Sequence, residues 1–243
     1  MLLELSEILA CPNCLPPQTL VVFVEEMRGR RVLHGHLGCP QCESRFPVRR
    51  GTLFFGGFEP ARGARKAEQV RRGWRGPTED PGAARAAGEA RAVSELAIEV
   101  VALLDVRGRS GVILLDEGLA PVAREVVRLA EGAEIMALTA GADPLESADA
   151  ASAAEDEPPG RIAPDVSRVY GAPSHLLPVQ SGRLLGVAFL GGSAPRLREG
   201  ARVLVPGGRL AILRPNPALD SAVGRLPLSV LASESRALVA RRR

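Results

Sequence analysis

From residue 89 onward two hydrophobic periodicities alternate. Val93, Leu96, Ala97, Val100, Val101 and Leu104 recur at three- and four-residue spacing, so one face of a helix is apolar, and Arg107-Gly108 ends it. GVILLDE is a short apolar run with strand character. PVAREVVRLAEG returns to helical spacing, with Val122, Val126 and Val127 inward and Gly132 as its stop. AEIMALT reads as the next strand. Residues 141–160, GADPLESADAASAAEDEPPG, are small and acidic with no period, so a mobile segment is expected there. Order returns with VSRVYG. GRLLGVAFLGG then predicts a buried strand, Pro195 to Leu204 a helix, and GGRLAILRP another strand. PLSVLASESRALVARR predicts two strands around Ser233–Ser235, a closing hairpin. Alternating strands and helices predict an α/β fold: a mostly parallel sheet covered on both faces, with a C-terminal antiparallel hairpin.

Upstream the pattern changes twice. Residues 1–57 contain every cysteine and end in the β-prone FPVRRGTLFFGG. Residues 58–88 are rich in Gly, Pro, Ala and Arg and read as a linker, so three segments are expected: 1–57, 58–88 and 89–243. The 243 residues, 46% of them hydrophobic, suffice for one full domain and a small one. A net charge of +3 argues against a general nucleic-acid coat or a polybasic membrane anchor. Within the linker, Arg71, Arg72, Trp74 and Arg75 could pair with phosphates and stack on a base, although a solvated linker is the plainer reading. Glu4 and Glu7 stand where a secretory signal would be basic, and no run reaches the roughly 18 apolar residues of a membrane helix. A cytoplasmic location is the resulting expectation.

The four cysteines form CxxC, a 24-residue gap and CxxC: Cys11, Cys14, Cys39 and Cys42. Two such knuckles can aim four thiolates at one point, which satisfies the tetrahedral preference of Zn²⁺ and leaves no open position, so the metal would be structural. Disulfides are disfavoured in a reducing compartment, and iron in place of zinc remains open on sequence grounds. His34 and His36 lie nearby, but the four cysteines already fill a shell. At i and i+2 of a strand they share one face, as ordinary half-buried or exposed residues. His175 has no evident nucleophile partner and reads as a surface or capping residue.

LLELSEILACPNC followed by LGCPQCESRFPVRRGTLFF resembles the Trm112-like zinc-ribbon proteins over about the first 56 residues. Members of that family are small activators that dock onto methyltransferase domains, partly by strand addition. The resemblance therefore implies a protein partner or homodimer engaged through the strand near Leu53, Phe54 and Phe55, or packing of that strand on the second domain of the same chain. A segment under 60 residues is too small to bury both faces of that strand alone.

LREGARVLVPGGRLAILRP and VYGAPSHLLPVQSGRLLGVAFLGG resemble late elements of class I S-adenosylmethionine (SAM)-dependent methyltransferases, which implies that Rossmann-like fold for residues 89–243. In that family the first strand ends in an acid and a GxGxG-like loop, the second in an acid for the ribose, and the third in an acid for the adenine amine. This chain keeps Asp116 and Gly118 but has Ala120, Pro121 and Val122 where the remaining loop glycines and their donors belong. It has Thr139 in the ribose position and Ala172 in the adenine position. Two lost acceptors at roughly 1–3 kcal/mol each weaken affinity by about one to four decades. Asp116 is either functional or a local acceptor of backbone bonds at the strand end. The expectation is a non-catalytic binding or regulatory protein: structural zinc, no catalytic residue, and doubtful SAM binding. Two alternatives stand beside it. One is an active SAM-dependent methyltransferase for RNA or protein, in which Asp143 or Glu146 reaches the ribose; the other is an RNA-associated scaffold.

Overall fold

The computed structural model describes residues 1–55, 83–139, 166–171 and 176–243. The N-terminal part consists of a 3-10 turn, Leu3–Glu7, and strands β1 (Val21–Arg28), β2 (Arg31–Gly38), β3 (Arg45–Arg49) and β4 (Thr52–Phe54). There follow α1 (Ala83–Leu104), β5 (Gly111–Leu115), a 3-10 turn Ala120–Val122 leading into α2 (Ala123–Leu129), β6 (Ala133–Thr139) and β7 (Ser167–Tyr170). The chain closes with β8 (Leu184–Leu190), α3 (Ala194–Val203), β9 (Leu204–Leu213), α4 (Leu219–Val223), β10 (Leu228–Ser233) and β11 (Ala237–Arg242). Helix α1 begins at Ala83, inside the stretch expected to be linker, because AARAAGEA is rich in good helix formers. Residues 56–82 and 140–165 lie outside the described residues. The arginine-tryptophan cluster, Asp143, Glu146 and the expected mobile segment therefore lie there too.

All these strands form one sheet in the order β1-β2-β3-β4-β7-β6-β5-β8-β9-β11-β10. Strands β7, β6, β5, β8 and β9 are parallel, and β11 inserts antiparallel between β9 and β10, which is the closing hairpin the alternating tail predicts. Successive residues point to opposite faces of a strand. Accordingly Ile113 and Leu115 pack with Val100, Val101 and Leu104 of α1 and Val126 of α2, while Leu114 joins Leu197 of α3 and Val223 of α4 on the other face. Gly132 ends the α2 segment with φ +86°, as its position suggests. No helix among the described residues is long and apolar enough to cross a membrane.

The strand carrying Leu53, Phe54 and Phe55 finds its edge within the same chain. β4 runs parallel to β7, with Leu53 opposite Val169 and Phe54 opposite Tyr170. Leu53 is fully buried, Phe54 stacks on Tyr170 at 5.4 Å, and the Phe55 amide donates to the Tyr170 carbonyl at 2.8 Å. A second contact lies on the loop before β8: Ala10 N–H donates to Pro178 O at 3.0 Å and Gln180 N–H to Ile8 O at 2.8 Å. Leu5, Leu9, Phe46 and Phe55 share one continuous core with Leu177, Val179 and Phe189. The N-terminal part thus shares one core with the α3 side of the sheet.

Candidate functional site

Each cysteine pair sits on a tight knuckle. Cys39 N–H donates to Ser44 O and Glu43 N–H to Cys39 O, both at 2.9 Å, and the Asn13 amide donates to Ser44 Oγ at 3.0 Å, tying one knuckle to the other. The sulfurs of Cys11 and Cys42 are 3.6 Å apart and those of Cys14 and Cys39 3.7 Å, with all four within 4.8 Å of one another. A tetrahedron with metal–sulfur bonds of about 2.3 Å needs sulfur–sulfur edges near 3.8 Å, so the four residues fit a single ion. Burial pushes the Cys11 and Cys14 thiols up, Cys14 to about 11. Hydrogen bonds from the Ser44 hydroxyl and amide draw Cys42 down to about 6. Without a cation, deprotonating the buried pair is costly; a bound divalent ion supplies the charge that four converging thiolates require.

His34 and His36 stay out of this cluster. Both are half-buried on β2, His36 stacked on Phe23 at 4.6 Å and His34 Nε2 lying 3.8 Å from Glu26 Oε2. They are strand-face residues, in agreement with their i, i+2 spacing.

The second place where chemistry could occur is the crevice between β5 and β8. The connections diverge there, with β6 and β7 on one side of β5 and β8 and β9 on the other, and open α/β sheets bind ligands at such a point. Asp116, at the end of β5, is buried, and both its oxygens are engaged: Oδ1 accepts from Leu119 N–H at 3.2 Å and Oδ2 from Leu190 N–H at 3.0 Å. Burial pushes its carboxyl up to about 6 against the pull of these backbone donors. Gly118 is needed for packing: a Cβ there would come 2.8 Å from Leu190 Cβ, so Leu190 already fills the space that the missing side chain leaves. Glu117 accepts two bonds from Arg196 Nη2, at 2.9 and 3.0 Å. That pair bridges the β5 loop to the first turn of α3, and the guanidinium lies 5.8 Å from the Phe189 ring centre. Thr139, at the end of β6, donates its hydroxyl to Val169 O at 3.3 Å. Ala172 and His175 lie outside the described residues.

At the carboxyl ends of β5 and β6, then, no described acid is left to meet a nucleoside hydroxyl, and the glycine-dependent gap is occupied by leucine. Asp116 accepts backbone bonds at the strand end. Glu117, Leu190 and Arg196 were not legible as site residues, because they meet only through the pairing of β5 with β8. Arg202 is a further such case. Its guanidinium donates to Leu177 O, Val179 O and Glu199, fixing the loop that receives Ala10 onto α3.

No protein-family model matches this sequence, and no curated protein matches it. Solved structures do resemble the fold. The chain is 16% identical to the antibiotic-resistance methyltransferase Kmr, covering 60% of this chain and 93% of that one with a TM-score of 0.41. It is 20% identical to TrmN from Thermus thermophilus, covering 62% and 49% with a TM-score of 0.44. It is 18% identical to a chain of the Haloferax volcanii complex that contains the Trm112 methyltransferase activator, covering 66% and 81% with a TM-score of 0.42. Likeness at this level leaves function to the chain's own residues.

Proposed function

We propose that this chain is a non-catalytic binding or regulatory protein, in which a Trm112-like zinc ribbon, residues 1–57, is docked in cis on a methyltransferase-like domain that does not hold SAM. The closed crevice carries this reading. Asp116, Glu117 and Leu190 take up with the chain's own atoms the positions from which a cofactor loop would act. In the ribbon, Cys11, Cys14, Cys39 and Cys42 hold one Zn²⁺ as a closed structural site. Strand addition of β4 to β7 supplies within one chain the contact that activators of the resembled family make with a separate protein. The partner of the assembled module is another protein chain.

Titration calorimetry of the full chain with SAM tests the proposal. No binding heat, and a melting temperature unmoved at about 1 mM ligand, is the expected result. A dissociation constant near 1 μM, or about −8 kcal/mol, would replace this reading with that of an active methyltransferase having a divergent loop.

A further inference from the structure

Charge on one face of the N-terminal strands is sorted by strand. Leu37, Phe46 and Val48 turn one face of β2 and β3 into the core, so the residues alternating with them turn outward. Pairing sets His36 between Phe23 of β1 and Pro47 of β3, and Gly38 beside Arg45. His34 and His36 thus share the outward face with Arg45, Pro47 and Arg49. A cavity of about 300 Å³ lies on this face, and its polar walls are Glu25 of β1, the two histidines of β2 and the two arginines of β3. Long side chains stand at either end of the β3 wall with the short Pro47 ring between them, which leaves the hollow.

Donors therefore reach this cavity from two neighbouring strands. Arg45 is exposed and forms no ion pair or hydrogen bond among the described residues. His36 is held by stacking on Phe23 at 4.6 Å, with 9° between the rings. His34 Nε2 lies 3.8 Å from Glu26, which is not a wall of the cavity, so inside it two guanidinium groups face one carboxylate, Glu25. Each guanidinium is a planar fork of N–H donors, and each imidazole adds a ring N–H. A planar carboxylate has two oxygens for them; a phosphoryl group has three, spread tetrahedrally, and carries more charge. A cation is disfavoured, because among the described residues only the four cysteines bring three or more ligating groups together. At about 30 Å³ per water the cavity is the size of roughly ten waters, room for a phosphoryl group with a small organic remainder.

We propose that this cavity binds a phosphate monoester, whose oxygens Arg45 and Arg49 hold from β3 while His34 and His36 donate from β2. Glu25 orients the ligand: it repels the phosphoryl oxygens and so leaves the organic side of the ester on β1. The proposal does not depend on whether SAM binds.

Titration of the full zinc-loaded chain with inorganic phosphate, at fixed pH and ionic strength, tests it through the ring signals of His34 and His36 in proton–carbon NMR, assigned with His34→Gln and His36→Gln. Both signals should move saturably, with a dissociation constant on the order of 1 mM, and sodium chloride should move neither. Arg45→Gln removes a charged donor and should weaken binding by about tenfold or more, whereas Glu25→Gln removes a repelling charge and should tighten it. Phosphoserine and uridine monophosphate then identify the source of the ester: tighter binding of the first assigns it to a protein, and of the second to a nucleotide. Movement that never saturates, the same response to chloride, an affinity that Arg45→Gln leaves unchanged or that Glu25→Gln lowers, or inorganic phosphate binding tighter than both esters would each overturn the proposal.

Discussion

Two polar clusters of this chain end differently. In the N-terminal part, four sulfurs converge to within 4.8 Å of one another, and three of the cysteines are buried. At the β5–β8 crevice the acids have found their partners in the chain itself, Asp116 in the amides of Leu119 and Leu190 and Glu117 in Arg196. Proximity of ionisable groups is common to both. What separates a binding site from a structural joint is whether the folded chain already satisfies those groups. Four thiolates at these distances would repel one another without a cation, whereas the carboxylates already have donors within the chain.

Removing the cation is expected to have the largest effect. Cys39→Ser, or dialysis against a strong chelator, should abolish stoichiometric zinc and unfold residues 1–55, since a structural zinc is worth about 10–16 kcal/mol in small metal-dependent folds. Because β4 pairs with β7 and Leu9 shares a core with Phe189, β7 should lose exchange protection as well, while β8, β9 and β11 keep theirs. Metal analysis and hydrogen exchange check this. Absence of zinc in protein never exposed to chelator would remove the contrast altogether.

The join between β4 and β7 comes next. Phe54→Asp together with Phe55→Asp replaces one ring stacked on Tyr170 and one that is 6% exposed. Deleting a buried Phe costs about 3–5 kcal/mol, so the variant should melt well below the wild type and the segment after β4 should become sensitive to protease, with zinc still bound. Unchanged melting and proteolysis would mean that β4 docks nothing.

The smallest effect is a slope. Asp116 titrates near 6 in the folded protein and near 3.9 when unfolded, so the native state binds more protons between these values. This group's contribution is therefore fully present below about pH 4 and is lost as pH rises through about 6, by an amount on the order of 3 kcal/mol. Asp116→Asn should flatten that part of the profile. Denaturant midpoints of wild type minus variant across this range read it directly, and the subtraction cancels any zinc released by acid. A parallel pair of profiles would show that Asp116 keeps an ordinary carboxylate pKa.

Local pattern was enough for much of this molecule. Helical spacing from Val93 to Leu104, the apolar runs of β5, β6 and β8, and the polar turn before Ala237 each express a preference written within a few residues, and the structure follows them. The cysteine cluster was equally legible, because CxxC is a local knuckle and four thiols leave few other arrangements. The crevice was not. The residues around Asp116 and Gly118 stood out in the sequence, but not the partners they would find. Glu117 and Arg196 are 79 residues apart, and Asp116 meets Leu190 across 74. Contacts of that span are set by strand order, and no periodicity encodes them. The same holds for β4: its apolar residues announced that it needed a neighbour, and only the folded sheet determined that the neighbour was β7 of the same chain.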